Sequence, residues 1–150
     1  MFRTLTKTQT VIAACAVSFL FLWSAARKAK GTTLTTRAVV DRFNAAFNRH
    51  DADAVESLLT DDTVFEDTSP APDGQRIQGK AAVAAFWRAW FPRNADAQFE
   101  AEEMIVSGDR AVVRWVYRKM RNGQPWHLRG VDVFTVRGGK VAAKLAYVKG

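Results

Sequence analysis

Residues 110–137, which read RAVVRWVYRKMRNGQPWHLRGVDVFTVR, contain the pattern from which the fold can be predicted. Asn122-Gly123 is the strongest short-range signal for a β-hairpin, and alternating apolar residues flank it on both sides. If these two residues form the turn, the residue numbers of each cross-strand pair add up to 245. Asp132 then lies opposite Val113. Its side of the sheet is otherwise apolar or small, with Val113, Trp115, Tyr117, Leu128, Gly130 and Phe134. The hairpin therefore predicts one carboxyl group among apolar side chains.

The other side of the same hairpin is basic and rich in valine. Its polar members are Arg114, Arg118, His127 and Arg129, and they alternate with Val112, Val116, Val131 and Val133. We interpret this as the outer face of the sheet, either solvated or covered by a second subunit. His127 points away from Asp132 in this arrangement and is not predicted to act with it.

The chain before the hairpin reads as helices, and the chain around it reads as strands. Apolar residues recur at helical spacing from Arg37 to Asn48, Asp51 is a suitable N-cap for a short second helix, and a third helix runs from about Lys80 until Pro92 ends it. Extended segments are predicted at 63–67, 98–106, 110–120, 124–136 and 140–149. Three helices followed by an antiparallel meander indicate an α+β fold, with a curved sheet wrapped around helices.

The composition fits one packed domain. The chain has 150 residues, of which 48% are hydrophobic and 25% charged, and this excludes a wholly disordered protein. Residues 1–30 hold five cationic side chains and no acid, so the net charge of +7 falls to 17 cations against 15 acids, or +2, for the rest. We therefore predict no nucleic-acid partner. The single cysteine, Cys15, excludes an internal disulfide, and the chain shows no phosphate loop or His-rich metal set, so we predict no metal and no cofactor.

Residues 1–30 are predicted to be an N-terminal signal or membrane-anchor segment, and residues 31–150 the domain. Residues 11–26 form an apolar run of 16 residues that would span about 24 Å as a helix, short of the roughly 30 Å hydrocarbon layer. The small residues 24–26 offer a cleavage point, whereas the basic residues after them disfavour translocation. Export with cleavage and membrane attachment through residues 11–26 both stay open. A third alternative is a mis-chosen start codon in front of a cytoplasmic protein.

Three segments of the chain resemble the SnoaL-like branch of the nuclear transport factor 2-like superfamily. They are FNAAFNRHD at 43–51, DDTVFED at 61–67, and GVDVF at 130–134 followed by GKV at 139–141. The resemblance covers about residues 36 to 149. It implies a cone-shaped α+β barrel, in which three N-terminal helices pack on a curved, mostly antiparallel sheet and a pocket opens at the wide end. It also implies a homodimer. The superfamily includes isomerases, cyclases, epoxide hydrolases, dehydratases and non-catalytic binders.

Ketosteroid isomerases give the sharpest comparison within that superfamily. Their general base ends a Val-Glu-Asp segment, which matches Asp67, and their oxyanion-hole acid lies ten residues after a hairpin Asn, which matches Asp132. Their third catalytic group is a first-helix Tyr, and Phe43 stands at that position without a donor. The resemblance implies a protein that binds a small, largely apolar molecule, with Asp67 and Asp132 in isomerase- or cyclase-type acid-base chemistry. The alternative is a non-catalytic ligand-binding or dimerisation module.

The side chains that we expect to line the pocket are Phe43, Phe86, Trp90, Trp115, Tyr117, Leu128 and Lys144. The face of the sheet on which Lys144 lies depends on the length of the turn that follows Val136. A three-residue loop at 137–139, which the resemblance suggests, places Lys144 opposite Asp132, whereas a two-residue loop turns Lys144 to the outer face. An ion pair would keep Asp132 charged as an acceptor or ligand clamp. Burial without that partner would raise the pKa of Asp132 and make it a neutral donor.

Overall fold

The structure is a computed structural model, and it describes residues 34–149. The predictions for residues 1–30, including membrane attachment through residues 11–26, lie outside the described residues. None of the helices within residues 34–149 is both long and apolar enough to span a membrane.

Three helices precede most of the sheet, as the sequence predicts. Helix α1 comprises Thr36–Asn48, α2 comprises Ala52–Ser57 and α3 comprises Lys80–Trp90. The Asp51 carboxylate accepts a hydrogen bond from the backbone N–H of Ala54 at 2.9 Å, which confirms it as the N-cap of α2. After α3 the chain tightens into a 3₁₀ turn at Phe91–Asn94, because Pro92 cannot continue an α-helix.

Six strands form one sheet. They are β1 (Leu59–Glu66), β2 (Arg76–Gln78), β3 (Gln98–Ser107), β4 (Arg110–Arg121), β5 (Gln124–Arg137) and β6 (Lys140–Val148). Their spatial order is β2-β1-β6-β5-β4-β3, and every neighbouring pair is antiparallel except β1 with β6. The predicted α+β class, with a curved and mostly antiparallel sheet packed on helices, is confirmed. The sheet stays open, with β2 and β3 as its edges.

The hairpin of β4 and β5 has the predicted register. Arg121 pairs with Gln124 across the turn, and Asp132 pairs with Val113. The face that carries Asp132 turns toward the helices, where α1 contributes buried side chains to the core. That core is made of Val39, Val40, Phe43, Ala46, Phe47, Val55, Leu59, Phe65, Val83, Trp87, Phe91, Ala111, Val113, Phe134, Val136 and Val141.

The connection between β5 and β6 corrects one prediction. Gly138 and Gly139 alone form the loop, so the three-residue loop is wrong. A two-residue loop would by itself turn Lys144 to the outer face. Ala142, however, has no cross-strand partner on β5, and this β-bulge shifts the register by one residue. Lys144 therefore returns to the inner face, where it pairs with Phe134.

Candidate functional site

Asp132 lies on β5 in the most enclosed part of the inner face. Its exposed fraction is 0%, and its cross-strand partners are Val113 on β4 and Ala146 on β6. Burial raises the pKa of Asp132, while the positive charge of Lys144 and the indole N–H of Trp115 oppose that rise. Two influences therefore oppose each other at this carboxyl group: its apolar surroundings favour the neutral form, and Lys144 favours the charged form.

Lys144 is the charged partner of Asp132. Its Nζ lies 2.9 Å from Oδ2 of Asp132, diagonally across the β5–β6 pair. The same Nζ lies 5.3 Å from the centre of the Phe65 ring and 5.8 Å from that of Phe134, which are cation–π distances. The angles of the ion pair fall outside hydrogen-bond geometry. Neither oxygen of Asp132 thus receives an aligned hydrogen bond from within residues 34–149.

Asp67 follows β1 on the same inner face. β1 runs parallel to β6 and pairs Phe65 with Lys144, so continuing this register by two residues places Asp67 level with Ala146. Asp132 is paired with Ala146 from the other side. The two carboxyl-bearing residues therefore stand in one row on either side of Ala146, with their Cα atoms two strand spacings, or about 10 Å, apart.

The small side chain of Ala146 lies between the two carboxyl-bearing residues in this row. The charge of Asp67 raises the pKa of Asp132, and the charge of Lys144 lowers the pKa of Asp67, as expected for groups that share a small space. The structure thus brings Asp67, Asp132 and Lys144 together.

The loop after β1 fixes the position of Asp67. Its backbone N–H donates to the carbonyl of Gln75 at 2.9 Å, and its carboxylate accepts from the N–H of Thr68 at 2.7 Å. Gly74 packs so closely that a Cβ atom there would lie 1.8 Å from the carbonyl oxygen of Asp67, and its φ of +73° is also one that favours glycine. Partial burial raises the pKa of Asp67, although the Thr68 hydrogen bond counteracts it.

Trp115 reaches Asp132 because residue 130 is a glycine. Trp115 pairs with Gly130, and a Cβ atom at that glycine would lie 2.5 Å from the Trp115 ring and 2.1 Å from the carbonyl oxygen of Tyr147. The ring therefore lies across the strand at this point. Its buried Nε1–H has no hydrogen-bond partner among the described residues, which leaves a donor beside the carboxyl group.

The more open end of the inner face is surrounded by the half-buried aromatic side chains of Trp90, Tyr117 and Trp126. The ring centre of Tyr117 lies 6.1 Å from that of Trp90 and 6.3 Å from that of Trp126. The Tyr117 hydroxyl is buried without a partner in the described residues. Burial, with the negative charges of Asp96 and Asp67, raises the pKa of Tyr117 to about 12. Tyr117 is thus a neutral donor at physiological pH.

The remaining predicted lining residues divide between this open end and the core. Phe86 and Leu128 are half-buried, and the ring of Phe86 lies 5.2 Å from that of Phe65. Phe43 is 2% exposed and packs edge-on against Phe134 with ring centres 5.6 Å apart, so it belongs to the core. Sequence reasoning missed Trp126, although its place in the alternation of β5 puts it on the same side as Asp132.

A separate groove of about 480 Å³ lies on the outer face of the sheet. Arg129 holds Glu102 there with two hydrogen bonds of 3.1 and 2.8 Å, and Arg114 lies 3.3 Å from the same carboxylate. Tyr147 and Val148 complete the wall. The charged groups of this groove are therefore paired with one another, and the groove does not include Asp67 or Asp132.

Comparison with known proteins agrees with this architecture. A protein of unknown function with a nuclear transport factor 2-like fold, from Mesorhizobium loti, is 36% identical over 77% of this chain and 91% of its own, with a TM-score of 0.67. A candidate polyketide cyclase from Sinorhizobium meliloti is 28% identical over 73% of this chain and 93% of its own, with a TM-score of 0.60. A hypothetical protein from Catenulispora acidiphila with a ketosteroid isomerase-like fold shares the fold at 17% identity, covering 73% and 83% of the two chains, with a TM-score of 0.62. No functionally curated protein matches the chain.

These similarities define the class as nuclear transport factor 2-like proteins. Within that class, the sequence pattern of the SnoaL-like domain matches residues 40–144. The chain belongs to the SnoaL-like domain family.

Proposed function

We propose that this chain binds a small, largely apolar molecule that carries a carbonyl group, and that it moves a proton at the carbon beside that carbonyl, as isomerases and cyclases do. The observation that carries the proposal is the row in which Asp67 and Asp132 flank Ala146. Such a proton shift needs an ionised base beside the substrate and a donor at the oxygen where negative charge develops. Asp67 is the base, and the pair of Asp132 and Lys144 provides the polar partner of the oxygen.

The surroundings of the row support an apolar ligand with one polar end. The ring of Tyr117 lies between those of Trp90 and Trp126 at the open end, at centre distances of 6.1 and 6.3 Å, and such rings supply large apolar contact area. Buried polar atoms without a partner among the described residues include Trp115 Nε1 beside Asp132 and Tyr117 Oη among the aromatic rings. Similarity to a candidate polyketide cyclase supports cyclase-type chemistry on this arrangement.

Hydrogen exchange at an activated carbon tests the proposal directly. A panel of cyclic ketones and β,γ-unsaturated ketones with one to four fused rings is incubated with the protein in D₂O, and deuterium uptake is followed by NMR. We expect Asp67→Asn to lower the exchange rate by about 100-fold or more, since a positioned base contributes 10²–10⁴-fold. Asp73→Asn, in the exposed part of the same loop, is the matched control. Equal exchange by wild type and Asp67→Asn would contradict the role of Asp67.

One observation favours the second candidate function, a non-catalytic binding module. Phe43, at the position of a donor Tyr in ketosteroid isomerases, is buried in the core and provides no hydrogen bond to a ligand. A binding module would retain a small molecule in native mass spectrometry of the protein purified from its own host, while catalysing no exchange with any ketone of the panel. A catalyst would accelerate deuterium exchange in at least one ketone of the panel.

A further inference from the structure

Lys144 is the more exposed member of the buried ion pair. The side chain of Lys144 is 11% exposed, whereas that of Asp132 is 1% exposed. A hydrogen-bond donor stabilises a developing oxyanion only when it reaches that oxygen directly. The enclosed position of Asp132 therefore suits a residue that acts through a neighbour.

The ammonium group of Lys144 has donor capacity to spare. An ammonium carries three N–H groups, and within residues 34–149 a single carboxylate, that of Asp132, lies in contact with this one at 2.9 Å. Two of its other neighbours are the ring faces of Phe65 and Phe134, which attract a cation without using up a specific N–H. The group is thus held from three sides while an N–H remains for a ligand oxygen.

We propose that Lys144 supplies the donor for the enolate oxygen and that Asp132 is a positioning residue that holds the ammonium in place. This inference rests on the proposed function. The reaction that it describes is a proton shift: the substrate C–H bond breaks, its proton moves to the carboxylate of Asp67, and the electron pair moves onto the carbonyl oxygen. Lys144 keeps all its protons and stabilises the resulting oxyanion by a charge-assisted hydrogen bond. Asp67 then returns the proton to a carbon of the same molecule.

The charges of the site define the substrate class. Asp67, Asp132 and Lys144 together carry a net charge of −1 when all three are ionised. During the reaction this charge moves from Asp67 to the substrate oxygen, and the total within the site does not change. A neutral ketone meets this condition, whereas a carboxylate-bearing substrate would add a second negative charge to a poorly solvated space. We infer that the substrate is a neutral, enolisable ketone.

Binding of 4-nitrophenol tests the assignment of the donor, because the ionisation of this probe is visible in its absorption spectrum. The test uses the Asp67→Asn background, which imitates the uncharged base of the intermediate. We expect this protein to bind the phenolate at least about tenfold more tightly than the phenol, the gain typical of a charged donor over a neutral one. Adding Lys144→Met is expected to abolish the preference, and adding Lys140→Met, at the far end of β6, is expected to leave it unchanged.

Lys144→Met leaves a buried carboxylate without a counter-charge, which destabilises folded proteins strongly. The variant Asp132→Asn with Lys144→Met removes both charges and is expected to fold without phenolate preference. Asp132→Asn alone retains the cation and is expected to keep or increase the preference. In the protein that retains Asp67, the same substitution should lower the deuterium exchange rate, because the ammonium is no longer held in place. Survival of the preference in Lys144→Met or in the double variant would overturn the proposal, as would failure of every variant to bind the probe. Deuterium exchange judges Asp67 independently, so failure of the donor assignment and failure of the proposed function remain distinguishable.

Discussion

Asp67 and Asp132 carry the same functional group in two different surroundings. Asp67 is half-buried beside a loop, accepts a hydrogen bond from a backbone N–H and lies next to the open end of the inner face. Asp132 is fully enclosed beside an ammonium group. A base must contact the C–H bond from which it takes a proton, so the more accessible carboxylate has the position of the base. Asp132, in contrast, can act on a ligand through the cation that it holds.

The raised pKa of Asp67 predicts a specific dependence of stability on pH. The groups that influence it are Thr68 and Lys144, and burial is the largest cause of the rise. A carboxyl group with a higher pKa in the folded state binds its proton more tightly there, so folding gains a contribution that is fully present below the ordinary pKa of 3.8. That contribution is lost as the pH rises through the folded-state pKa.

Urea unfolding of wild type and Asp67→Asn between pH 3 and pH 7 measures this effect. We expect the free energy of unfolding of wild type, relative to that of the variant, to fall as the pH rises, because the variant has no carboxyl group to titrate at this position. The deuterium exchange rate should change in the opposite direction and increase with pH as Asp67 ionises. A stability difference that is constant or grows with pH would contradict the raised pKa.

At the scale of the element, one unpaired residue decides which face of β6 carries the cation. Successive side chains of a strand alternate between faces, so the bulge at Ala142 exchanges the faces of every residue that follows it. If the same residues of β6 paired with β5 without a bulge, Lys144 would lie among the arginines of the outer face. The inner face would then keep Asp132 without a counter-charge.

Deleting Ala142 is expected to leave the ion pair in place. Ala142 is the residue without a partner, so its removal lets Ala143 follow Val141 opposite Thr135 and keeps Lys144 opposite Phe134 on the inner face. Urea unfolding measures the outcome, and the free energy of unfolding should fall by less than an unpaired buried carboxylate costs, which is about 3–5 kcal/mol. Ala142→Gly keeps the number of residues in β6 and is the control, with a cost of about 1 kcal/mol or less. A loss of about 3–5 kcal/mol on deletion would show that Lys144 has left the inner face.

Strands β4, β5 and β6 show which features of the sheet the sequence can predict and which it cannot. Asn122-Gly123 specifies a two-residue turn and fixes every pair of β4 and β5, so the site of Asp132 follows from the sequence alone. Gly138-Gly139 predicts a turn but leaves its length open between two and three residues, and it carries no information about a bulge three residues later. Strand β2 has only three residues, Arg76–Gln78, too few for a recognisable alternation. Local turn chemistry is therefore readable, whereas irregular register depends on packing across the sheet.

For the whole domain, the outer face of the sheet presents both exposed apolar side chains and a balanced set of charges. Ile105 is 62% exposed and Tyr147 51%, and Val112 pairs with Ile105 on the same face. Three arginines alternate there with three glutamates, in the contacts Arg114–Glu103, Arg118–Glu100 and Arg129–Glu102. The face is thus close to neutral although the chain as a whole is basic. Two copies of this face would not repel each other.

We propose that the outer face joins two copies of this chain into a homodimer. A two-fold interface brings the same patch of both subunits together, so it requires a surface that complements itself, and alternating Arg and Glu side chains around apolar ones meet that requirement. Size-exclusion chromatography with light scattering is expected to give twice the mass of the chain. Ile105→Glu should convert the dimer to a monomer, because it places an unpaired charge at the apolar part of the interface. Ala85→Glu, on the exposed side of α3 in the helical layer, should leave the dimer intact. A wild-type monomer at micromolar concentration would show that water, rather than a second copy, covers this face.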